Sequence, residues 1–165
     1  MTKPILLMGG TGAIGRLSAG ALRAVYPDVP LLIGGRDAVK SAQAASDLGN
    51  AEGVAIDPSA EDLGLRDRPV AAVAVFYADD RLAGLRYAQG RNLPHLGISS
   101  GIYEIAPEVA AFMQAPDAGA IVLGYEWLVG ATTIATFACA KAYAQLHDIK
   151  IGALVDAQDG GGPAV

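Results

Sequence analysis

The stretch Pro4-Ile5-Leu6-Leu7-Met8-Gly9-Gly10-Thr11-Gly12-Ala13-Ile14-Gly15 decides how this chain reads. Four consecutive apolar residues, Ile5 to Met8, predict a short strand buried on both faces. Glycines follow at once, as Gly10-x-Gly12-x-x-Gly15 and also as Gly9-x-x-Gly12-x-x-Gly15. A helix then opens, from about Ile14 to Tyr26, with Ile14, Leu17, Ala21, Leu22 and Val25 at i, i+3, i+4 spacing, and Pro27-Asp28 ends it. Strand, glycine turn and helix in that order form the context in which such a motif cradles a diphosphate. Gly10 is expected to permit the tight turn, Gly12 to let the diphosphate approach the backbone, and Gly15 to let helix and strand pack closely. Free amides at the helix start, aided by its dipole, would face the phosphates. Gly9, Gly10, Thr11, Gly12, Ala13, Ile14 and Gly15 are therefore candidate cofactor-binding residues.

The same alternation continues along the chain. Leu31–Ile33 reads as a second strand, 38–48 as a helix stopped by Gly49 or Asn50, and Val54–Ile56 as a third strand. Ser59 opens a turn of helix, with Asp62 three residues on as a weakened capping box. Val70–Phe76 is an apolar central strand. Asp79 or Asp80 can cap the next helix, whose inner face is Leu82, Leu85 and Ala88. His95–Ile98 is a fifth strand, Pro107 sits in the first turn of a short helix ending near Met113, and 120–123 is a sixth strand. A long Ala/Thr-rich helix from about Leu128 to Leu146 and a last strand, Lys150–Val155, complete the pattern. Strands alternating with helices at this spacing predict an α/β fold of the Rossmann type: a doubly wound, mostly parallel sheet with helices on both faces. Residues 1–126 form the expected dinucleotide-binding domain. Residues 127–165 form a helix–strand extension, read as the truncated start of a second domain because the chain runs out in a glycine-rich loop.

Composition narrows the function classes. The 165 residues include 32 alanines and 21 glycines against ten aromatics, which suits close packing of helices on a sheet. Acids outnumber bases 17 to 12, for a net charge of −5, and no Lys/Arg cluster offers a grip on nucleic acid. One cysteine, Cys139, excludes an intrachain disulfide and reads as buried packing. Two separate histidines, His95 and His147, give no metal-ligand spacing and read as structural. No secretory signal precedes the first strand, and the weakly polar run 127–140 falls short of the roughly 20 residues a membrane helix needs. A cytoplasmic location is the expectation.

The ends of the strands carry the remaining candidates. At the second strand's end stands Ile33-Gly34-Gly35-Arg36-Asp37, where the adenine ribose of a bound dinucleotide would lie. Arg36 can pair with a 2′-phosphate and stack on adenine, which favours NADP. Asp37 is the alternative, reaching the ribose for NAD or capping the next helix. Asp57, ending the third strand, either accepts from the adenine amino group or caps the turn before Pro58-Ser59. Phe76 and Tyr77 end the fourth strand over the expected cofactor channel. Ser99-Ser100-Gly101, Tyr103 and Glu104, and Tyr125-Glu126-Trp127, lie at the carboxyl edge, where they could hold a nicotinamide amide, a substrate or a proton donor. No tyrosine is followed four residues later by lysine, so a Tyr-x-x-x-Lys acid–base couple is absent. No catalytic residue is identified on these grounds.

Four segments together resemble the saccharopine dehydrogenase-like NAD(P)-binding proteins: the opening run from Pro4 to Gly15, Leu32-Ile33-Gly34-Gly35-Arg36-Asp37, Val54-Ala55-Ile56-Asp57, and Leu93-Pro94-His95-Leu96-Gly97-Ile98-Ser99. The resemblance covers roughly residues 4–125. It implies an oxidoreductase whose Rossmann domain precedes an α/β domain that helps form the substrate site and often dimerises. The implied partners are a dinucleotide, NADP or NAD, and a small carbonyl or imine substrate, with a homodimer as the expected assembly. The chain departs from that family's pattern twice. No aspartate stands near the fifth strand's end at Gly97-Ile98-Ser99, and Gly124-Tyr125-Glu126-Trp127-Leu128-Val129-Gly130 lacks the family's proline. A non-catalytic dinucleotide-binding module, sensing redox state or mediating assembly, is the rival reading.

Overall fold

The computed structural model describes residues 2–99, 101–123 and 127–152. The elements run β1 (Ile5–Met8), α1 (Ala13–Val25), β2 (Leu31–Gly35), α2 (Ala38–Leu48), β3 (Ala51–Ala55), β4 (Ala72–Val75), α3 (Ala83–Gln89), β5 (His95–Gly97), α4 (Ile102–Gln114), β6 (Ile121–Val122) and α5 (Trp127–Ala140). The six strands form one sheet in the order β3-β2-β1-β4-β5-β6. Every pairing is parallel, with Leu7 of β1 level with Ile33 of β2 on one side and Ala74 of β4 on the other. The order reverses at β1, so the carboxyl ends of β1 and β4 flank the crevice where open α/β sheets bind ligands.

Period-two alternation divides the core between the two faces. Leu6, Met8, Val73 and Val75 pack with Ala83, Tyr87 and Ala88 of α3. Leu7, Leu31 and Ile33 pack with Ala19 of α1 and Ala44 and Ala45 of α2. Alanine is a contact residue in all three helices, so the alanine-rich composition permits close helix-on-sheet seating. Gly49 closes α2 at φ +70°, the left-handed geometry that favours glycine.

Several boundaries differ from the sequence reading. In α1 the buried residues are Gly15 and Ala19, whereas Leu17 and Val25 are largely exposed. Close seating at Gly15 sets the helix's rotation, and that overrides the hydrophobic stripe. Ser59 begins no helix: Asp57 accepts from the Ser59 amide, while Asp62 accepts from the Gly64 and Arg66 amides. The N-cap of α3 is Leu82 rather than Asp79 or Asp80, although Asp79 Oδ2 accepts from the Gly84 amide in the first turn. Pro107 lies inside α4, past its first turn, and α4 starts earlier than expected, directly after Gly101. α5 ends at Ala140, residues 141–152 form no helix or strand, and Cys139 is exposed rather than buried. The expected last strand begins within that irregular segment, and its remainder, like Ser100, Tyr125 and Glu126, lies outside the described residues. Among the described residues no helix is long and apolar enough to cross a membrane.

Candidate functional site

The glycine turn sits at the sheet's switch point. Gly9 carries the left-handed φ of +77°, so the tight turn is made there and not at Gly10 as expected. Gly10 is a glycine for packing: a Cβ there would lie 2.9 Å from the Leu7 carbonyl oxygen and 3.0 Å from Ile33 Cγ2. At Gly15 a Cβ would stand 2.3 Å from the Gly9 oxygen and 2.7 Å from Gly10 Cα, so α1 rests on the turn's own backbone. Gly12 differs from both. Its Cβ direction meets only the Gly9 oxygen, at 3.3 Å, and is otherwise open. Gly12 is also the N-cap of α1, with no side chain capping the helix. The amides of Ala13, Ile14 and Gly15 donate to no other backbone group among the described residues. Three uncapped amides at the positive end of a 13-residue helix, beside the open Gly12, form an anion cradle.

Thr11 bridges this cradle to the end of β2, its Oγ1 lying 3.0 Å from where a Cβ on Gly35 would be. Beyond Gly35, Arg36 is exposed and has no hydrogen bond or ion pair among the described residues. Asp37 is the N-cap of α2: its Oδ1 accepts from the Val39 amide (2.9 Å) and the Lys40 amide (3.1 Å). Of the two neighbours, Asp37 is committed to the helix and Arg36 is free. Asp57 is likewise engaged with its turn. Its Oδ1 accepts from both the amide and the hydroxyl of Ser59, and these bonds hold its carboxyl below the usual carboxylate range.

Phe76 and Tyr77, both half-buried, carry the end of β4 past the cradle. The Phe76 amide donates to the Met8 carbonyl, and the Tyr77 ring lies 3.0 Å from a Cβ position on Gly9. The Tyr77 hydroxyl is buried without a hydrogen-bond partner. Burial, with the Asp79 charge nearby, pushes the phenol up to about 12.

A polar cluster that the sequence reading missed occupies the end of β5. Glu108, on α4, is only 5% exposed, and its Oε2 accepts from Ser99 Oγ at 2.6 Å. A Cβ on Gly97 would lie 3.0 Å from Glu108 Oε1, 3.3 Å from Ser99 Oγ and 3.4 Å from His95 Cε1. All three side chains therefore crowd against Gly97, whose missing side chain lets them approach its backbone. Burial raises the Glu108 carboxyl above its ordinary range. The Ser99 hydroxyl opposes that rise, while Glu104 and Asp79 add to it. His95 is 3% exposed with its Nδ1 unpartnered, and burial lowers it to about 4, so the ring is neutral. The available signal was Glu104 and Glu108 at i, i+4 spacing in the otherwise apolar helix segment IYEIAPEVAAFMQ. Tyr103, a sequence candidate, is 92% exposed, and Glu104 accepts from the Gly101 amide at the head of α4. His147 is exposed beyond α5.

One cavity of about 1090 Å³ reaches from Ile14 past Phe76 and Tyr77 to His95, Ser99 and Glu108. Its ionisable lining is acidic apart from His95 and the tyrosines: Asp79, Asp80, Glu104 and Glu108, with no lysine or arginine. Among the described residues no group of three or more His, Cys, Asp or Glu could hold a metal ion.

No protein-family model matches the chain, and no curated protein matches it in sequence. Solved structures do. A myo-inositol dehydrogenase from Corynebacterium glutamicum is 23% identical with a TM-score of 0.57, the match covering 86% of this chain and 42% of that one. A protein assigned as a betaketoacyl-ACP reductase is 20% identical with a TM-score of 0.52, over 71% of this chain and 68% of that one. The fold is of the Rossmann type. At these identities the likeness shows the fold alone, and this chain spans less than half the length of the myo-inositol dehydrogenase.

Proposed function

We propose that this chain is the nicotinamide-dinucleotide-binding portion of an oxidoreductase, with a preference for NADP. The observation that carries the reading is the uncapped head of α1 beside an open Gly12, at the switch point of a β3-β2-β1-β4-β5-β6 sheet. Gly9 to Gly15 would hold the diphosphate, with the Ala13 and Ile14 amides as donors. Arg36 would meet the 2′-phosphate, because Asp37 is occupied as a helix cap. The nicotinamide half would extend along the cavity past Phe76 and Tyr77 toward Ser99. The buried, unpartnered Tyr77 hydroxyl is a group that a ligand there can satisfy. The nicotinamide supplies hydride chemistry when bound; the protein positions it and excludes water. A small carbonyl or imine compound is the proposed substrate class. We propose a place among the saccharopine dehydrogenase-like proteins, on the Pro4–Gly15, Leu32–Asp37, Val54–Asp57 and Leu93–Ser99 segments. Residues 1–126 are the proposed dinucleotide domain, and homodimerisation is a proposal on the same footing.

The test is a pair of calorimetric titrations, with NADPH and NADH, of the wild-type chain and of Arg36→Glu. The expected result is NADPH preferred by wild type and weakened about tenfold or more in the variant, with NADH little changed. Equal loss of both cofactors refutes the role of Arg36. Tight binding without hydride transfer across a carbonyl and imine panel would favour the non-catalytic reading.

A further inference from the structure

Three arginines that stand apart in the sequence share one groove. Arg81 precedes α3, Arg86 lies in its last turn, and Arg91 follows Gly90, which closes it. Along one straight helix, steps of five residues would turn each side chain about 140° from the last. Only Arg86 is helical, so the chain before and after α3 can bring the other two to the same side. All three line a groove of about 950 Å³ together with the 58–61 turn. The groove shares no lining residue with the cavity that runs from Ile14 to Glu108. It also reverses the charge of the molecule: the chain is −5 in net charge, yet three guanidiniums here face one carboxylate, Glu61. Among the described residues, none of these four side chains forms a hydrogen bond or an ion pair. The carboxylates flanking the turn are already engaged. Asp57 accepts from the Ser59 amide and hydroxyl, and Asp62 from the Gly64 and Arg66 amides. Arg91 lies over the Tyr87 ring, its guanidinium carbon 4.1 Å from the centroid. That contact positions the charge without supplying a hydrogen-bond acceptor.

We propose that this groove is an anion site separate from the dinucleotide site, and that it takes a small molecule bearing two linked phosphates. The proposal does not rest on the dinucleotide reading and stands if that reading fails. Three like charges without counter-ions repel one another, and a bound anion removes the repulsion. The planar donor fork of each guanidinium matches phosphate oxygens, so the anion also gains charge-assisted hydrogen bonds. A single phosphate, with at most about two negative charges, answers two guanidiniums; two linked phosphates answer all three. The volume is that of a small-molecule pocket rather than of one oxyanion.

The experiment is a ¹⁵N–¹H titration of the labelled full chain with inorganic pyrophosphate at low ionic strength. Expected are saturating shifts of the amides of 59–61, 90 and 91, with a Kd below about 1 mM. The double variant Arg86→Gln with Arg91→Gln should weaken that binding about tenfold or more. Both arginines are exposed, and Arg86→Gln alone, which gives up no side-chain bond, should weaken it at least about threefold in a fully folded chain. Inorganic phosphate and citrate should bind at least about tenfold more weakly than pyrophosphate. ADP, followed at the same amides, separates the two sources of the chemistry: tighter binding than pyrophosphate assigns a nucleotide, and equal or weaker binding a free diphosphate. Pyrophosphate shifts confined to Gly12 through Gly15, or no saturating shift at all, overturn the inference. So does citrate or single phosphate binding as tightly as pyrophosphate, or undiminished binding in the variants. A polyglutamate peptide that binds more tightly than pyrophosphate overturns it in favour of an acidic protein segment.

Discussion

Replacing Gly15 by alanine puts a methyl carbon 2.3 Å from the Gly9 carbonyl oxygen, 2.9 Å from its carbon and 2.7 Å from Gly10 Cα. All three neighbours are backbone, so no side-chain rotation relieves the clash. Recovering ordinary contact requires α1 to withdraw from the glycine turn by about 1 Å. Overpacking of this kind costs about 1–3 kcal/mol, and for a chain of this size each kcal/mol lowers Tm by about 2–4 °C. The same withdrawal displaces the Ala13 and Ile14 amides, and losing one hydrogen bond to a charged group weakens NADPH by about tenfold or more. Gly20 is the internal control. It lies in the same helix, is exposed, and has nothing within 4 Å of its Cβ position. Gly20→Ala should therefore gain about 0.5–1 kcal/mol from helix propensity and leave NADPH binding unchanged. Thermal melts and calorimetric titrations of the two variants beside wild type make the comparison. A Gly15→Ala chain that melts no lower than wild type and binds NADPH equally well would refute the steric argument.

Asp37→Ala removes the cap of α2 and should destabilise the chain by about 1 kcal/mol in urea titrations, with dinucleotide affinity unchanged. His95 has a folded pKa of about 4 against an ordinary 6.5, so the unfolded chain binds the proton first as pH falls. Its contribution is present above the ordinary value and is lost on acidification through that window. The loss is about 3 kcal/mol between about pH 6.5 and about pH 4, and His95→Gln should remove that component of the urea-derived pH dependence. Cys139 is exposed on α5, so a thiol reagent should titrate one cysteine per chain rapidly without denaturant; a thiol reacting only on unfolding would contradict that exposure.

The parts legible in the sequence are those governed by local chemistry. The β1–turn–α1 unit announces itself because a buried strand, a glycine spacing and a helix start coincide within twelve residues. Asp37 and Gly49 act where cap preferences place them. What local pattern cannot show is which neighbour a residue meets across the sheet. The rotation of α1 is set by the Gly15 contact with the turn, so Leu17 and Val25 face solvent despite their spacing. The tight turn falls at Gly9 because Gly10 is confined by Leu7 and Ile33, the latter from a strand over twenty residues away. Glu108 was invisible for the same reason: its partner Ser99 and its neighbour His95 belong to a different element. A carboxyl in an apolar helix gains meaning only once the helix is seated against β5.

The central claim is that the head of α1 receives the diphosphate of a nicotinamide dinucleotide. The most direct measurement is a two-dimensional ¹⁵N–¹H titration of the labelled chain with NADPH, following the backbone amides. The account predicts the largest shifts at Gly12, Ala13, Ile14 and Gly15, with Arg36 and Tyr77 next. Shifts confined to other surfaces, or none at saturating NADPH in a folded sample, would contradict it.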